Sequence, residues 1–421
     1  MKGRSFKRTS MKIANSSLSN DRRTFRTWLA EKLSRVTSTG ELIPEIDGLR
    51  FIAITTVVLH HMMSILLPTS GRTGRINTTA EWFGAAEQFS PLLKLGYAGH
   101  FGVNLFFAIS GFILALPFAR KLFAGLPPPN LKSYYLRRVT RIEPPYAICM
   151  TIFFVYMVID KHDFAQLLPH FLASLLYSHN LVYGQHSLVN VVTWSLEIEI
   201  QFYVLVPVLV KIFALRRAIA RRMLLIGLIL FGGWLSQNVI YPSGSERLAL
   251  SLPNFFAYFL VGFLLADLYL TGWLRETRRW RFDLLTIGGG GALFLVLTRY
   301  GQFYNLLPAL IGLFYLGFFR GRLSNLLVTR RWIVITGGMC YTFYLYHIPI
   351  ISELTWNIRR LFVGGPHFEL DFALQCLVVL PIVFALCSLW FVLTEKPFMR
   401  WSLSPKPAPR IESRPDAELT R

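Results

Sequence analysis

The sequence predicts an all-α, polytopic integral membrane helix bundle with about ten transmembrane helices and both ends on the inner side (N-in/C-in). Three observations predict it. Only 16% of the 421 residues are charged and 53% are hydrophobic, whereas a soluble domain carries about 25% charged residues. Apolar runs recur at the length that spans a bilayer, about 17–25 residues. The positive charge, +21 in total, lies between those runs and mostly on alternate sides. That pattern orients a membrane protein, and it argues against the nucleic-acid partner that so basic a chain otherwise suggests.

The apolar runs lie near 48–67, 98–117, 143–159, 198–214, 223–240, 249–270, 283–299, 303–319, 332–351 and 372–393. The seventh and eighth are closely joined through Arg299–Gln302. Residues 164–182 are apolar too, but His170 and His179 punctuate them, and they are expected to form an external or re-entrant segment. With the N-terminus inside and the spans alternating, 36 of the 44 Lys and Arg residues fall on the inner side and 8 outside, which fixes the orientation. Residues 1–45 then form a basic cytoplasmic N-terminal tail, 46–400 the membrane domain and 401–421 a Pro-rich, charged tail expected to be disordered. Within the first tail, 21–37 reads either as a basic amphipathic helix on an anionic surface or as disordered chain. No early apolar core marks a cleavable signal. The four cysteines fall in apolar runs without a CxxC pair, and are read as packing residues with neither a metal site nor a disulfide framework.

Several spans carry polar residues that a bilayer penalises. The first, "DGLRFIAITTVVLHH", opens with Asp47 and Arg50 and closes with His60 and His61. Eleven residues separate Arg50 from His61, about 16 Å of helix and roughly three full turns, so the two share a face. Asp47 lies within about 40° of His61, and His60 about 80° away from Arg50. One polar stripe is therefore expected from the inner edge to mid-membrane. The alternative is a buried histidine satisfied by a neighbouring helix.

In "YYLRRVTRIEPPY" the pairs Arg138/Arg141 and Arg137/Arg141 are spaced for one helical face, and Pro144–Pro145 are expected to break or kink the chain. Arginine forks at a membrane mouth suit phosphates, although ordinary inner-side charge is the competing reading. In "WSLEIEIQFY" Glu197 and Glu199 fall on nearly opposite faces. Glu199 is the deeper and shares its face with Ser195 and Tyr203. "GMCYTFYLYHIPI" places His347 near the outer end of the ninth span, and "TEKPF" ends the last span with Glu395, expected to pair with a basic loop. The run "IGGGGA" lacks a following Lys-Ser/Thr, so it reads as close helix packing and no phosphate loop.

Taken together and in order, "IDGLRFIAITTVVLHH", "GVNLFFAISGFIL", "RRVTRIEPPY", "WSLEIEIQFY", "YTFYLYHIP" and "TEKPF" resemble the acyltransferase-3 family of integral-membrane O-acyltransferases, which act on bacterial surface sugars and related products. The pieces span residues 46 to 398. Two positions depart from the family pattern: Asn104 stands where an aspartate is common and Ile200 where a second glutamate is. The resemblance selects Arg50 and His61 as the family's arginine–histidine pair, Arg138 and Arg141 as its paired arginines, and Glu199 as its glutamate.

It implies a multi-pass protein of the bacterial cytoplasmic (inner) membrane. The donor would be cytoplasmic acyl-CoA, most often acetyl-CoA, with no permanently bound cofactor and no nucleic-acid partner. Its phosphates would meet Arg138 and Arg141, helped by Arg50. The pantetheine arm would thread a polar shaft to His61, acting as general base or transient acyl carrier, with Glu199 orienting the imidazole. Asp47, Ser195, Tyr203 and His347 would support the site. The acceptor would be a hydroxyl of an extracytoplasmic glycan or glycolipid; O-antigen, exopolysaccharide, another glycan and a small metabolite all remain open. A glycolipid or anion transporter would use the same buried charges, but neither an internal repeat nor paired broken spans mark one. Reporter fusions after Arg410 should be active only as cytoplasmic reporters; activity confined to the outer side would overturn the orientation.

Overall fold

A computed structural model describes residues 25–36, 42–69, 90–299, 301–358 and 368–401. Among them it forms eighteen α-helices and no strand. In chain order these are α1 (Phe25–Leu33), α2 (Pro44–Thr69), α3 (Pro91–Ala98), α4 (Gly102–Phe123), α5 (Leu131–Lys161), α6 (Phe164–Leu175), α7 (His179–Tyr183), α8 (Trp194–Leu209) and α9 (Ala218–Leu235). They continue with α10 (Glu246–Ala249), α11 (Leu252–Leu270), α12 (Asp283–Thr298), α13 (Leu307–Arg320), α14 (Leu323–Val328), α15 (Arg331–Gly338), α16 (Cys340–Ile358), α17 (Phe368–Trp390) and α18 (Lys396–Trp401). Of the expected tails, 1–45 and 401–421, residues 1–24, 37–41 and 402–421 lie outside the described residues, and within 21–37 the helical alternative holds as α1.

Eight helical stretches among the described residues are long and apolar enough to cross a membrane. The expected ninth span is a broken one, in which α15 and α16 meet at a bend of 72°. The expected fourth span is short. α8 has 16 residues before a 3-10 turn, Val210–Ala214, so the α-helix itself reaches about 24 Å of a hydrocarbon core about 30 Å thick. α12 and α13 belong to two separate spans, Trp280–Thr298 and Gly301–Arg320, although the short join between the seventh and eighth apolar runs left their division open. Pro144 and Pro145 do not break α5, which runs through them for 31 residues; they free the carbonyls of Thr140 and Arg141 from helical bonding. The punctuated segment 164–182 yields α6 and α7, in which His170 Nδ1–H donates to His179 Nε2 at 2.8 Å.

Two apolar cores fill the bundle. One gathers α4, α8, α11 and α13 around Phe107, Phe112, Phe202, Phe259 and Tyr315. The other gathers α1, α3, α5, α16 and α17 around Met62, Tyr146, Phe343, Val379 and Phe391. α2 serves both: Ile46, Leu49 and Ala53 face the first, and Ile54, Val58, Met62 and Met63 the second. Polar groups of α2 are thereby delivered to a seam, where neither lipid nor a single core surrounds them.

Glycines set how closely the helices approach. A Cβ at Gly337 would lie 1.7 Å from the Asp47 carbonyl, and one at Gly102 would lie 2.5 Å from the Ala53 carbonyl, so α15 and α4 grip α2 from separate sides. The contact between α4 and α11 is reciprocal. A Cβ at Gly111 would lie 2.1 Å from the Phe259 carbonyl oxygen, and one at Gly262 2.2 Å from the Ala108 carbonyl oxygen. In "IGGGGA", Gly289 and Gly290 meet Phe314, whereas Gly288 and Gly291 face open space. Gly262→Ala should therefore destabilise the bundle by about 1–3 kcal/mol, read as a lower unfolding midpoint in detergent. Gly227→Ala, with no atom within 4 Å of its Cβ, should leave the midpoint unchanged or higher; equal midpoints for the two variants would refute the close crossing.

Candidate active site

A cavity of about 130 Å³ opens along the seam. α2, α4, α5, α8 and α16 wall it. At one end stand Arg50, Arg138, Arg141 and Glu395. Arg138 and Arg141 reach it from one face of α5, as their i,i+3 spacing predicts, whereas Arg137 is exposed to the outside of the bundle. The Arg138 guanidinium sits over the rings of Tyr134 and Tyr203, at 5.9 and 5.8 Å. Neither Arg138 nor Arg141 makes an ion pair within 4 Å among the described residues, so both charges remain available to an anion.

Asp47 has no exposed surface and is shared by two arginines. Arg50 Nη1 donates to its Oδ1 at 2.8 Å and Arg35 Nε to its Oδ2 at 2.8 Å. Asp47 is thus a support for Arg50. Glu395 does not pair with an external loop. It is buried, accepts from Thr342 Oγ1 at 2.5 Å, and faces the cavity from the π-turn Phe391–Glu395 that ends α17. Sequence reasoning put its motif at the inner end of the last span and expected a basic loop as its partner, where the structure gives it Thr342. Arg35 was missed altogether, since it lies in a segment that read as tail.

Midway along the cavity, Ser110 Oγ donates to Glu199 Oε1 at 2.7 Å and Tyr203 Oη donates to the same oxygen. The face shared by Glu199 and Tyr203 is real, and Ser110 of α4 completes it. Ser195 lines the same cavity as Glu199 and Tyr203 and meets Tyr344 Oη at 3.1 Å, and the Tyr344 hydroxyl donates to the Val192 carbonyl at 2.5 Å. Beyond them Val57, Val103, Phe106 and Phe107 line the wall. The expected polar shaft is therefore apolar in its last part.

The cavity lining stops at Val57 and Tyr344, one helical turn short of His61 and His347 respectively. There the two imidazoles meet, His61 Nδ1 against His347 Nε2 at 2.8 Å. Glu199 does not orient His61; its bonds go to Ser110 and Tyr203, and His347 takes the place expected for it. The network assigns the protons. His347 Nδ1 lies 2.7 Å from the Phe343 carbonyl, which only accepts, so Nδ1 carries the hydrogen. Neutral His347 then offers a lone pair at Nε2, and His61 Nδ1–H donates to it. His61 Nε2 is left with its lone pair free of this chain of bonds. His60 is turned away as its register predicts, with Nδ1–H donating to the Tyr97 carbonyl at 3.0 Å.

Residues 43–394 match the sequence signature of the family Acyl_transf_3, an acyltransferase domain. The chain belongs to the acyltransferase-3 family. Among curated relatives it is similar to the O-acetyltransferase OatA of Staphylococcus aureus strain NCTC 8325 / PS 47, with 22% identity over 335 residues, 73% of this chain and 50% of the relative. The OatA of strain COL matches to the same extent. The chain thus spans about half the length of the relatives it matches. No solved structure matches it. The acyltransferase-3 domain holds Asp47, Arg50, His61, Arg138, Arg141, Glu199 and His347, while Arg35 lies ahead of it. Because Glu199 accepts from the Ser110 and Tyr203 hydroxyls, Glu199→Leu should cost about 1–3 kcal/mol through the donors it orphans, and Glu199→Gln, which keeps a carbonyl acceptor, should cost less. Unfolding midpoints in detergent that do not separate the two variants would remove that role.

Proposed function

We propose that this acyltransferase-3 chain moves an acyl group, acetyl above all, from cytoplasmic acyl-CoA to a hydroxyl of an extracytoplasmic glycan or glycolipid, with His61 Nε2 as the working atom. The observation that carries the reading is the His61–His347 pair, set one turn past the end of a cavity whose other end is lined by three arginines. The relatives' name, O-acetyltransferase, supports oxygen as the acceptor atom and acetyl as the group. The excess of inner-side positive charge supports entry of the donor from the cytoplasm.

The chemistry follows from the chain's own groups. Arg138, Arg141 and Arg50 hold the donor's phosphates through charge-assisted hydrogen bonds. The thioester arm lies along the apolar wall toward Val57 and Tyr344. His61 Nε2 takes the proton of the acceptor hydroxyl as the new C–O bond forms and the C–S bond breaks, and the imidazolium returns that proton to the leaving thiolate. His347 remains the acceptor for His61 Nδ1–H throughout. In this way it holds one tautomer and one ring orientation and eases the positive charge that His61 gains. The same bare Nε2 serves an acyl-carrier route, in which it attacks the thioester carbon first and then passes the acyl group on.

Labelled acetyl transfer in membranes at matched protein levels tests this reading. His61→Ala should lower turnover by about 10²–10⁴-fold. His61→Asn should be equally poor, because an amide keeps the hydrogen bond but takes no proton near pH 7. His60→Ala, which loses its bond to the Tyr97 carbonyl and its contact with Ser64 Oγ, should be milder. A nearly normal His61→Ala beside a dead His60→Ala would overturn the assignment.

A further inference from the structure

We propose that the segment ahead of the acyltransferase domain is part of the donor site, and that Arg35 is a positioning residue that frees Arg50 to bind donor phosphate. The inference rests on the acyl-CoA reading above.

The segment is anchored to the membrane domain. α1 buries Ala30 and Leu33 in the second apolar core. Its last carbonyls are capped from the far end of the chain, where Lys396 Nζ donates to the carbonyls of Glu31 at 2.7 Å and Lys32 at 2.5 Å. Cations at a helix C-terminus are favourable in this way. The anchor delivers Arg35 to a fixed place. Its stem lies on Gly338, where a Cβ would come within 3.3 Å of Arg35 Cδ, and Gly338 itself lines the cavity. Arg35 therefore stands behind the wall, one glycine away from the space that Arg50, Arg138 and Arg141 line.

From there it acts through Asp47. One carboxylate is divided between Arg50 on Oδ1 and Arg35 on Oδ2, each at 2.8 Å. An aspartate held by Arg50 alone would spend its whole charge on that guanidinium and compete with an incoming phosphate. Arg35 takes up half of that demand, so Arg50 keeps its fork oriented and much of its charge uncommitted. Burial and the Arg50 charge both pull the Arg35 guanidinium below its ordinary value, while Asp47 opposes them. In and behind the cavity wall the guanidiniums of Arg35, Arg50, Arg138 and Arg141 outnumber the carboxylates of Asp47, Glu199 and Glu395 by one. That excess of one positive charge favours an anionic ligand over an uncharged one.

The test compares two donors, acetyl-CoA and acetyl-pantetheine, which carries the same thioester without any phosphate. Steady-state transfer is measured for wild type, Arg35→Ala and Arg35→Lys in membranes. Arg35→Ala should raise KM for acetyl-CoA about tenfold, in line with one weakened charge-assisted contact. Its kcat should stay within about twofold, and its KM for acetyl-pantetheine should not move. Arg35→Lys, which keeps the charge but loses the fork, should fall between wild type and Arg35→Ala, and it carries the test if Arg35→Ala fails to accumulate. An unchanged KM for acetyl-CoA, an equal rise for both donors, or a fall in kcat alone would each overturn the inference. A wild type that uses neither donor overturns the acyl-CoA reading and this inference with it. A wild type active with acetyl-CoA beside Arg35 variants of unchanged KM overturns the inference alone.

Discussion

A carboxylate with no exposed surface at the edge of a membrane domain has to be neutralised, and the basic end of this protein is arranged around that need. Asp47 sits in the first turn of α2, where the helix dipole favours an acid, but a dipole alone does not balance a fully buried charge. Arg50, one turn on, supplies one guanidinium. The second comes from outside the bundle's core, from the stretch that follows α1. The demand of one buried side chain thus accounts for the docking of an N-terminal segment, for the orientation of Arg50, and for a glycine at 338 where Arg35 must pass.

The same economy governs the interior. A bilayer tolerates ionisable groups only where protein or a lined cavity surrounds them. The bundle meets this by splitting its apolar packing into two cores and leaving α2 between them. Backbone contact at Gly102 and Gly337 keeps the seam narrow, and the bend between α15 and α16 brings Gly337 onto the Asp47 carbonyl. The arginines at one end and the histidine pair at the other occupy the line where the cores fail to merge. The polar groups are therefore placed by the way the apolar ones divide.

The partner of His61 illustrates what side-chain chemistry selects. A carboxylate at that position would hold the imidazole by charge, and would also favour a resting imidazolium. A neutral imidazole whose own proton is committed to the Phe343 carbonyl accepts a hydrogen bond without adding negative charge. It fixes the tautomer and leaves His61 neutral, which is the form that accepts a proton. Glu199, meanwhile, is occupied by Ser110 and Tyr203 beneath the Arg138 guanidinium, in the middle of the cavity.

Much of this was legible in the chain before any fold was known. Span positions follow from apolar run length. The shared face of Arg138 and Arg141, the face of Glu199 and Tyr203, and the opposed directions of His60 and His61 follow from helical period, which is local and fixed by backbone geometry. The family follows from motifs in order along residues 46 to 398. What local rules cannot supply is which faces meet. His347 is 286 residues from His61, and no periodicity relates them. Glu395 turns inward to meet Thr342, and Arg35 reaches Asp47 from the end of a helix whose last carbonyls Lys396 caps. Sequence determined the reach and facing of each side chain along its own helix. The packing of helices decided their partners, because a buried charge or ring nitrogen bonds to whatever the neighbouring helix presents, and that depends on the crossings that the glycines allow.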